Sequence, residues 1–197
     1  MNDKRPNPHE SLALITEMIS STRQHVTQQA HIPFLIWGYT TIVVTLAVWY
    51  GYKTTSQEAW FWLWYAIPVV GWLGMFATRN KRHADGYVRT PIDRAISHIW
   101  VVLAVVALVV TIASFIRPLP ILMMIIMFMG SGAAISGLII RMHLFTIAGF
   151  VGILLSLLFL FVQGIDQCLI FAAIFLVMMV IPGHIIQYQQ SKVSCNV

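Results

Sequence analysis

The chain has 197 residues, of which 58% are hydrophobic and 10% are charged, whereas soluble domains carry about 25% charged residues. This small number of charged side chains cannot cover the surface of a globule of this size. The excess of apolar side chains must therefore face lipid. A formal charge of +5 would suggest nucleic acid in a soluble protein. Here the basic residues cluster in short loops, which is a topology signal, and no nucleic-acid partner is expected.

The first apolar pattern in the chain predicts an amphipathic helix over residues 7–31. Asn7 can cap this helix, Pro8 suits its first position, and Glu10 occupies the third position of a capping box. Apolar residues from Leu12 to Val26 recur at helical spacing. We expect residues 1–32 to form a cytoplasmic segment that lies along the lipid headgroups or docks on the rest of the protein.

Six apolar segments follow, each of about 20 residues, which at 1.5 Å per residue crosses a hydrocarbon core of about 30 Å. They predict an all-α fold, a polytopic integral membrane protein with a transmembrane domain over residues 33–188 and a short cytoplasmic tail over 189–197. Pro118 and Pro120 separate the third and fourth segments, and Pro68 and Pro182 can kink theirs. The predicted spans are 33–52, 59–77, 97–116, 119–140, 144–162 and 168–187.

The basic residues lie almost entirely on one side of the predicted spans. The other side has only Lys53 and Arg117, together with a belt of Trp and Tyr residues typical of a membrane interface. The positive-inside rule therefore predicts that both termini are cytoplasmic. The loop between the second and third spans can also contact anionic lipid or an acidic partner through Arg79, Lys81, Arg82, Arg89 and Arg94.

No Asp, Glu, Lys or Arg falls inside a predicted span, which disfavours proton pumps and ion-coupled carriers because these usually place ionisable groups there. The weak candidates for a metal site are His98, His143 and His184, predicted at cytoplasmic helix ends. They lack metal-ligand spacing, so we predict no metal and no cofactor. No catalytic motif is present either, and we predict that the protein is not an enzyme.

Small residues four positions apart mark the fourth and fifth spans. Such spacing allows helix backbones to approach closely, either within one chain or between subunits. The pairs are Gly132 and Ser136, Ala133 and Gly137, and Gly152 and Ser156.

Several short motifs together resemble a widespread group of small, uncharacterised bacterial membrane proteins with six helices. These are Glu10-Ser11-Leu12, Trp37-Gly38, Gly71-Trp72 and Ile181-Pro182-Gly183. The resemblance covers nearly the whole chain. It implies a multi-pass protein of the cell inner membrane, but it transfers no activity and no site residue. The group often has an aromatic residue after the Pro-Gly pair, where this chain has His184, so we expect no group-wide role for this histidine.

Three hypotheses for function follow. The first is a non-catalytic component that senses, scaffolds or regulates through its cytoplasmic face. The alternative is a small permease or channel-like transporter, and the third is a metal or haem protein that uses the three histidines. The expected partners are the lipid bilayer, a protein bound at the cytoplasmic face, and a second copy of the chain in a homo-oligomer.

Overall fold

A computed structural model describes residues 31–84 and 91–194, so the predicted N-terminal amphipathic helix lies outside the described residues. The described part contains no strand. Two 3₁₀ helices, Glu58–Tyr65 and Ser156–Leu160, and one π-helical segment, Leu176–Val180, interrupt the α-helices. The α-helices are α1 (His31–Thr55), α2 (Ala66–Ala84), α3 (Pro91–Ile116), α4 (Ile121–Ile140), α5 (His143–Leu155), α6 (Gln167–Phe175) and α7 (Ile181–Ser194).

Six helical segments of the described chain are long and apolar enough to cross a membrane. The prediction of an all-α polytopic fold is therefore confirmed. The first to sixth spans are Ile32–Thr55, Glu58–Thr78, Pro91–Ser114, Ile121–Ile140, His143–Leu160 and Gln167–Gln189.

The helices extend beyond several of the predicted span boundaries. The third span begins at Pro91, whereas hydropathy predicts residue 97, because proline suits a first helical turn and polar residues can follow it. Helix α2 continues to Ala84, so the predicted basic loop begins later than expected. Helix α7 likewise continues to Ser194, into the predicted tail. Hydropathy marks where a helix enters lipid and does not mark where the helix ends.

Four spans form the packed core and two lie at its edge. The first, fourth, fifth and sixth spans enclose a buried cluster that includes Phe34, Ile126, Phe145, Phe175 and Met178. In the most apolar stretches of the second and third spans, only 6% and 0% of the residues, respectively, are buried inside the protein. Helices so apolar and so exposed are stable where lipid covers them, as in a multi-pass membrane protein.

The fourth and fifth spans approach each other most closely. A Cβ added to Gly149 would lie 2.5 Å from the Ala134 nitrogen and 2.6 Å from the Gly130 oxygen, and one added to Gly137 would lie 2.6 Å from the Thr146 nitrogen. Glycine is required because the backbone of one helix fills the space that a side chain would need.

The first, third and fifth spans begin at the same end of the bundle. Phe34 near the start of α1 stacks on Phe145 at 4.0 Å between ring centroids and meets Trp100 of α3 edge-on at 6.3 Å. We call this the basic end, because Arg94 and Arg141 lie there. The opposite end, with the 3₁₀ helix Glu58–Tyr65 and with Asp166, is called the aromatic end.

Candidate functional site

The predicted lipid- or partner-contacting residues divide between helix termini and a segment outside the described residues. Arg94 lies in the first turn of α3 and is exposed. Arg79, Lys81 and Arg82 belong to the last turns of α2 and not to a loop, while Arg89 lies outside the described residues. Basic residues at both helix ends thus flank the connection between the second and third spans.

Arg141 adds a further exposed basic side chain at the basic end, in the tight connection between α4 and α5. Its backbone is left-handed, with φ 57° and ψ 38°. The Met142 amide donates to the Gly137 carbonyl at 2.8 Å and the Arg141 amide to the Leu138 carbonyl at 3.2 Å, which is the Schellman arrangement that ends a helix. Glycine usually occupies this position, because a left-handed conformation costs a residue with a side chain about 1–2 kcal/mol.

The three candidate histidines do not assemble into a metal site in the described part of the chain, where no group of three possible ligands is found. His98 and His143 are exposed. His184 lies 2.6 Å from the Tyr39 hydroxyl through its Nε2, and the two rings meet edge-on at 5.8 Å. His184 therefore links the sixth span to the first on the outer surface of the bundle.

The small-residue pairs mediate contacts within this chain. The Trp100 indole donates to Ser136 Oγ at 3.2 Å, and its ring lies 3.2 Å from the position of a Cβ on Gly132. Gly137 packs on the start of α5, and Gly152 packs on the Met178 side chain. Ala133 is fully buried, and Ser156 donates to the Ile153 carbonyl at 2.6 Å. Gly132 and Ser136 thus join the fourth span to the third, Gly137 joins the fourth to the fifth, and Gly152 joins the fifth to the sixth.

An ion pair between distant parts of the sequence lies at the aromatic end. Asp166 Oδ1 accepts from Trp49 Nε1 at 3.1 Å and from Lys53 Nζ at 3.0 Å. The Lys53 ammonium also lies 5.3 Å from the centroid of the Trp49 ring. Two hydrogen bonds lower the pKa of the Asp166 carboxyl below its ordinary value of 3.8, and the one from Trp49 contributes more than the one from Lys53. Both charged side chains are about half exposed, so this pair ties α1 to the start of α6 at the surface.

The 3₁₀ helix that begins the second span packs on α1 through its aromatic rings. The Trp60 ring occupies the space that a side chain at position 51 would need, so Gly51 permits the contact. The Trp60 indole also donates to Thr55 Oγ1 at 2.8 Å. Trp64 stacks on Phe171 of α6, with ring centroids 6.1 Å apart and an interplanar angle of 17°.

Two buried threonines of α1 are a feature that the sequence alone does not single out. Thr41 and Thr45 are 2% and 0% exposed, and neither hydroxyl has a hydrogen-bond partner. Their sequence signal is a heptad-like spacing of four, three, four and three residues, which is visible only once the buried face of α1 is known. That face is formed by Phe34, Gly38, Thr41, Thr45 and Val48. Phe34 stacks on Phe145 of the fifth span, and Gly38 packs on Met179 and Val180 of the sixth.

Fold and side-chain arrangement together define a multi-pass α-helical membrane protein with charged groups at its ends and a packed apolar interior. Comparisons with protein-family profiles, with curated proteins and with solved structures found no match.

Proposed function

We propose that this protein is a non-catalytic component of the bacterial inner membrane that senses, scaffolds or regulates through its basic end, which faces the cytoplasm. The supporting observation is the distribution of polarity. Among the side chains that the structure describes, those buried include no Asp, Glu, Lys or Arg, and the buried polar residues are Thr41, Thr45, Ser136 and Ser156.

This distribution favours action at a surface over chemistry in the interior. Acid–base and nucleophilic catalysis need ionisable groups or an activated nucleophile held beside the substrate. Proton-driven transport needs ionisable groups within the membrane. Apart from Lys53 and Arg117, the basic residues instead collect at one end, where they can attract an acidic partner or anionic headgroups.

Two variants of the protein test this proposal in cells. One lacks residues 1–30, and the other replaces Arg79, Lys81, Arg82 and Arg94 with Gln. We expect in-cell crosslinking to recover a protein partner with the wild type and to lose it in at least one variant, because both remove groups from the proposed interaction surface.

The matched control neutralises charges at the aromatic end, with Lys53→Gln and Asp166→Asn, and keeps the partner under this proposal. If both basic-end variants retain every crosslink and the growth phenotype of the wild type, while remaining in the membrane, the proposal is wrong.

A small permease is the second candidate, and the unpaired Thr41 and Thr45 hydroxyls favour it. They lie in the first span opposite a sixth span interrupted by a π segment and Pro182, and interrupted helices often line substrate sites in transporters. If the protein is a permease, we expect the purified protein in liposomes to accelerate the entry of a small neutral solute such as urea. Entry no faster than in protein-free liposomes would remove this candidate.

A further inference from the structure

The buried hydroxyls of Thr41 and Thr45 lack the partners that comparable residues find within the protein. Thr111 donates to the Ala107 carbonyl at 2.8 Å and Thr146 to the Met142 carbonyl at 3.3 Å. Neither Thr41 Oγ1 nor Thr45 Oγ1 has any partner, although both residues are at least 98% buried. An unpaired polar group in a membrane interior is costly, so a hydrogen-bonding molecule from outside the chain would stabilise these hydroxyls.

Both hydroxyls lie where α1 packs against the sixth span. The two spans run antiparallel, with Gly38 beside Met179 and Val180, and with Lys53 beside Asp166. Between these two fixed points, Thr41 and Thr45 lie one helical turn apart on the buried face of α1. They are therefore opposite the segment that runs from α6 into the π segment.

The sixth span offers hydrogen-bond acceptors in this region. Its α-helical pattern changes to a π segment over Leu176–Val180, which packs on α1. Pro182 follows and is fully buried. Because proline has no N–H, a carbonyl of the π segment loses the donor that position 182 would normally supply. Segments of π-helix inside longer helices are frequent at functional sites.

A third buried polar atom without a partner belongs to the same set of contacts. Trp64 Nε1 is buried and unpaired, and the Trp64 ring stacks on Phe171 of α6. The 3₁₀ helix that carries Trp64 packs on α1 as well. Two hydroxyls and one indole N–H are thus unpaired among elements that are in mutual contact.

We propose that the interface between the first and sixth spans binds a small uncharged molecule that both donates and accepts hydrogen bonds. We call the interface around Thr41 and Thr45 the hydroxyl site. Water and a neutral solute of similar size, such as formamide, are two sources of this chemistry. An ion is disfavoured because no charged side chain is buried in the described part of the chain to compensate it. The molecule must be small, since Gly38 already lies against Val180 and Met179.

The competing arrangement needs no bound molecule. Each threonine hydroxyl would rotate and donate to the carbonyl one turn earlier, as Thr111 does. The two arrangements differ in whether water reaches the side chains of the sixth span, which X-ray radiolysis measures, because hydroxyl radicals formed from bound water oxidise neighbouring side chains.

The test uses the purified full-length protein in lipid nanodiscs. Met179 lies beside Gly38 of α1 and is 1% exposed, so bound water in the hydroxyl site gives it an oxidation signal despite burial. Met178 is 0% exposed and packs on Gly152 of the fifth span, so it serves as a buried control. Oxidation is normalised to the exposed Met127. We expect Met179 to be oxidised in the wild type and most of this signal to be lost in the Thr41→Val, Thr45→Val double variant. Thr111→Val removes a paired hydroxyl elsewhere and keeps the signal.

A second variant separates loss of the site from loss of the fold. Thr41→Ser with Thr45→Ser retains both hydroxyls and is expected to retain the oxidation of Met179. Added formamide identifies the source of the ligand: protection indicates a solute site, whereas an unchanged signal indicates bound water, and both support the proposal. Absence of oxidation in the wild type, or an equal signal in the folded double Val variant, would overturn it.

Discussion

Arg141 shows how one residue can retain a basic side chain at a conformational cost. Its left-handed backbone costs about 1–2 kcal/mol, whereas glycine at such a position costs about 0.5–1 kcal/mol in unfolded-chain entropy. We therefore expect Arg141→Gly to raise the free energy of unfolding by about 0.5–1 kcal/mol, measured by denaturant unfolding in detergent.

The matched control for this prediction is Arg141→Ala, which removes the charge but keeps a Cβ in the left-handed conformation. It should show no such gain in stability. An equal gain in both variants would mean that charge, and not backbone conformation, is responsible. Retention of arginine where glycine fits better is consistent with a role of the basic end in orientation or in binding.

Asp166 provides the clearest pH dependence at the scale of one residue. Hydrogen bonds from Trp49 and Lys53 lower its pKa below 3.8 in the folded protein. This interaction therefore stabilises the folded protein at pH values above the pKa that Asp166 has in the unfolded chain. The stabilisation is lost as the pH falls through the lower pKa of Asp166 in the folded state.

Unfolding measured between pH 7 and pH 3 tests this linkage. We expect the wild type to lose stability at the acid end of the range and Asp166→Asn to lose less over the same range. Glu58→Gln removes another carboxylate from the aromatic end and should follow the wild type. If Asp166→Asn loses as much stability as the wild type, Asp166 is not the group responsible.

At the scale of elements, the backbone contact between α4 and α5 makes the strongest mutational prediction. Gly149→Ala would place a methyl group 2.5 Å from a backbone nitrogen of α4, so the helices must separate. We expect the free energy of unfolding to fall by about 1–3 kcal/mol, measured by unfolding in mixed micelles.

Gly74→Ala is the control for helix propensity and for added volume. Its Cβ would meet a side-chain methyl, Ile36 Cγ2, at 2.8 Å, but the second span can move outwards because only 6% of its most apolar stretch is buried inside the protein. The cost should be clearly smaller than for Gly149→Ala. Equal costs would show that the contact between α4 and α5 is looser than its geometry indicates.

Sequence reasoning predicts the elements better than their contacts. Hydropathy is a local signal, and it identifies all six spans because each must carry enough apolar residues to cross lipid. Local signals do not specify which helix faces which. Hence they miss the pairs Lys53–Asp166 and Tyr39–His184, which join residues more than 100 positions apart.

The same limit applies to interruptions within the spans. Pro68 lies in the first turn of α2, directly after the 3₁₀ helix that begins the second span, and proline is readily accommodated there. Pro182 follows the π segment, which packs against α1 and α5, and a local sequence signal does not specify these contacts. The unpaired state of Thr41 and Thr45 likewise becomes visible only when their buried face and its neighbours are known.

At the scale of the whole molecule, the protein is a four-span core with two peripheral spans that lipid covers. The polar interior is limited to a few hydroxyls in the described residues, while charged groups lie near the two ends. Such a bundle is suited to hold a charged surface in place at the membrane boundary. We propose that the basic end of the bundle faces the cytoplasm.

Cysteine accessibility in intact bacterial cells tests this claim most directly. In a background with Cys168→Ala and Cys195→Ala, single substitutions are made at the aromatic end, Gln57→Cys or Gln163→Cys, and at the basic end, Arg94→Cys or Arg141→Cys. We predict that a membrane-impermeant maleimide labels the first pair in intact cells and the second pair only after permeabilisation. Labelling of Arg94→Cys and Arg141→Cys in intact cells, with protection of the other two, would contradict the proposed orientation.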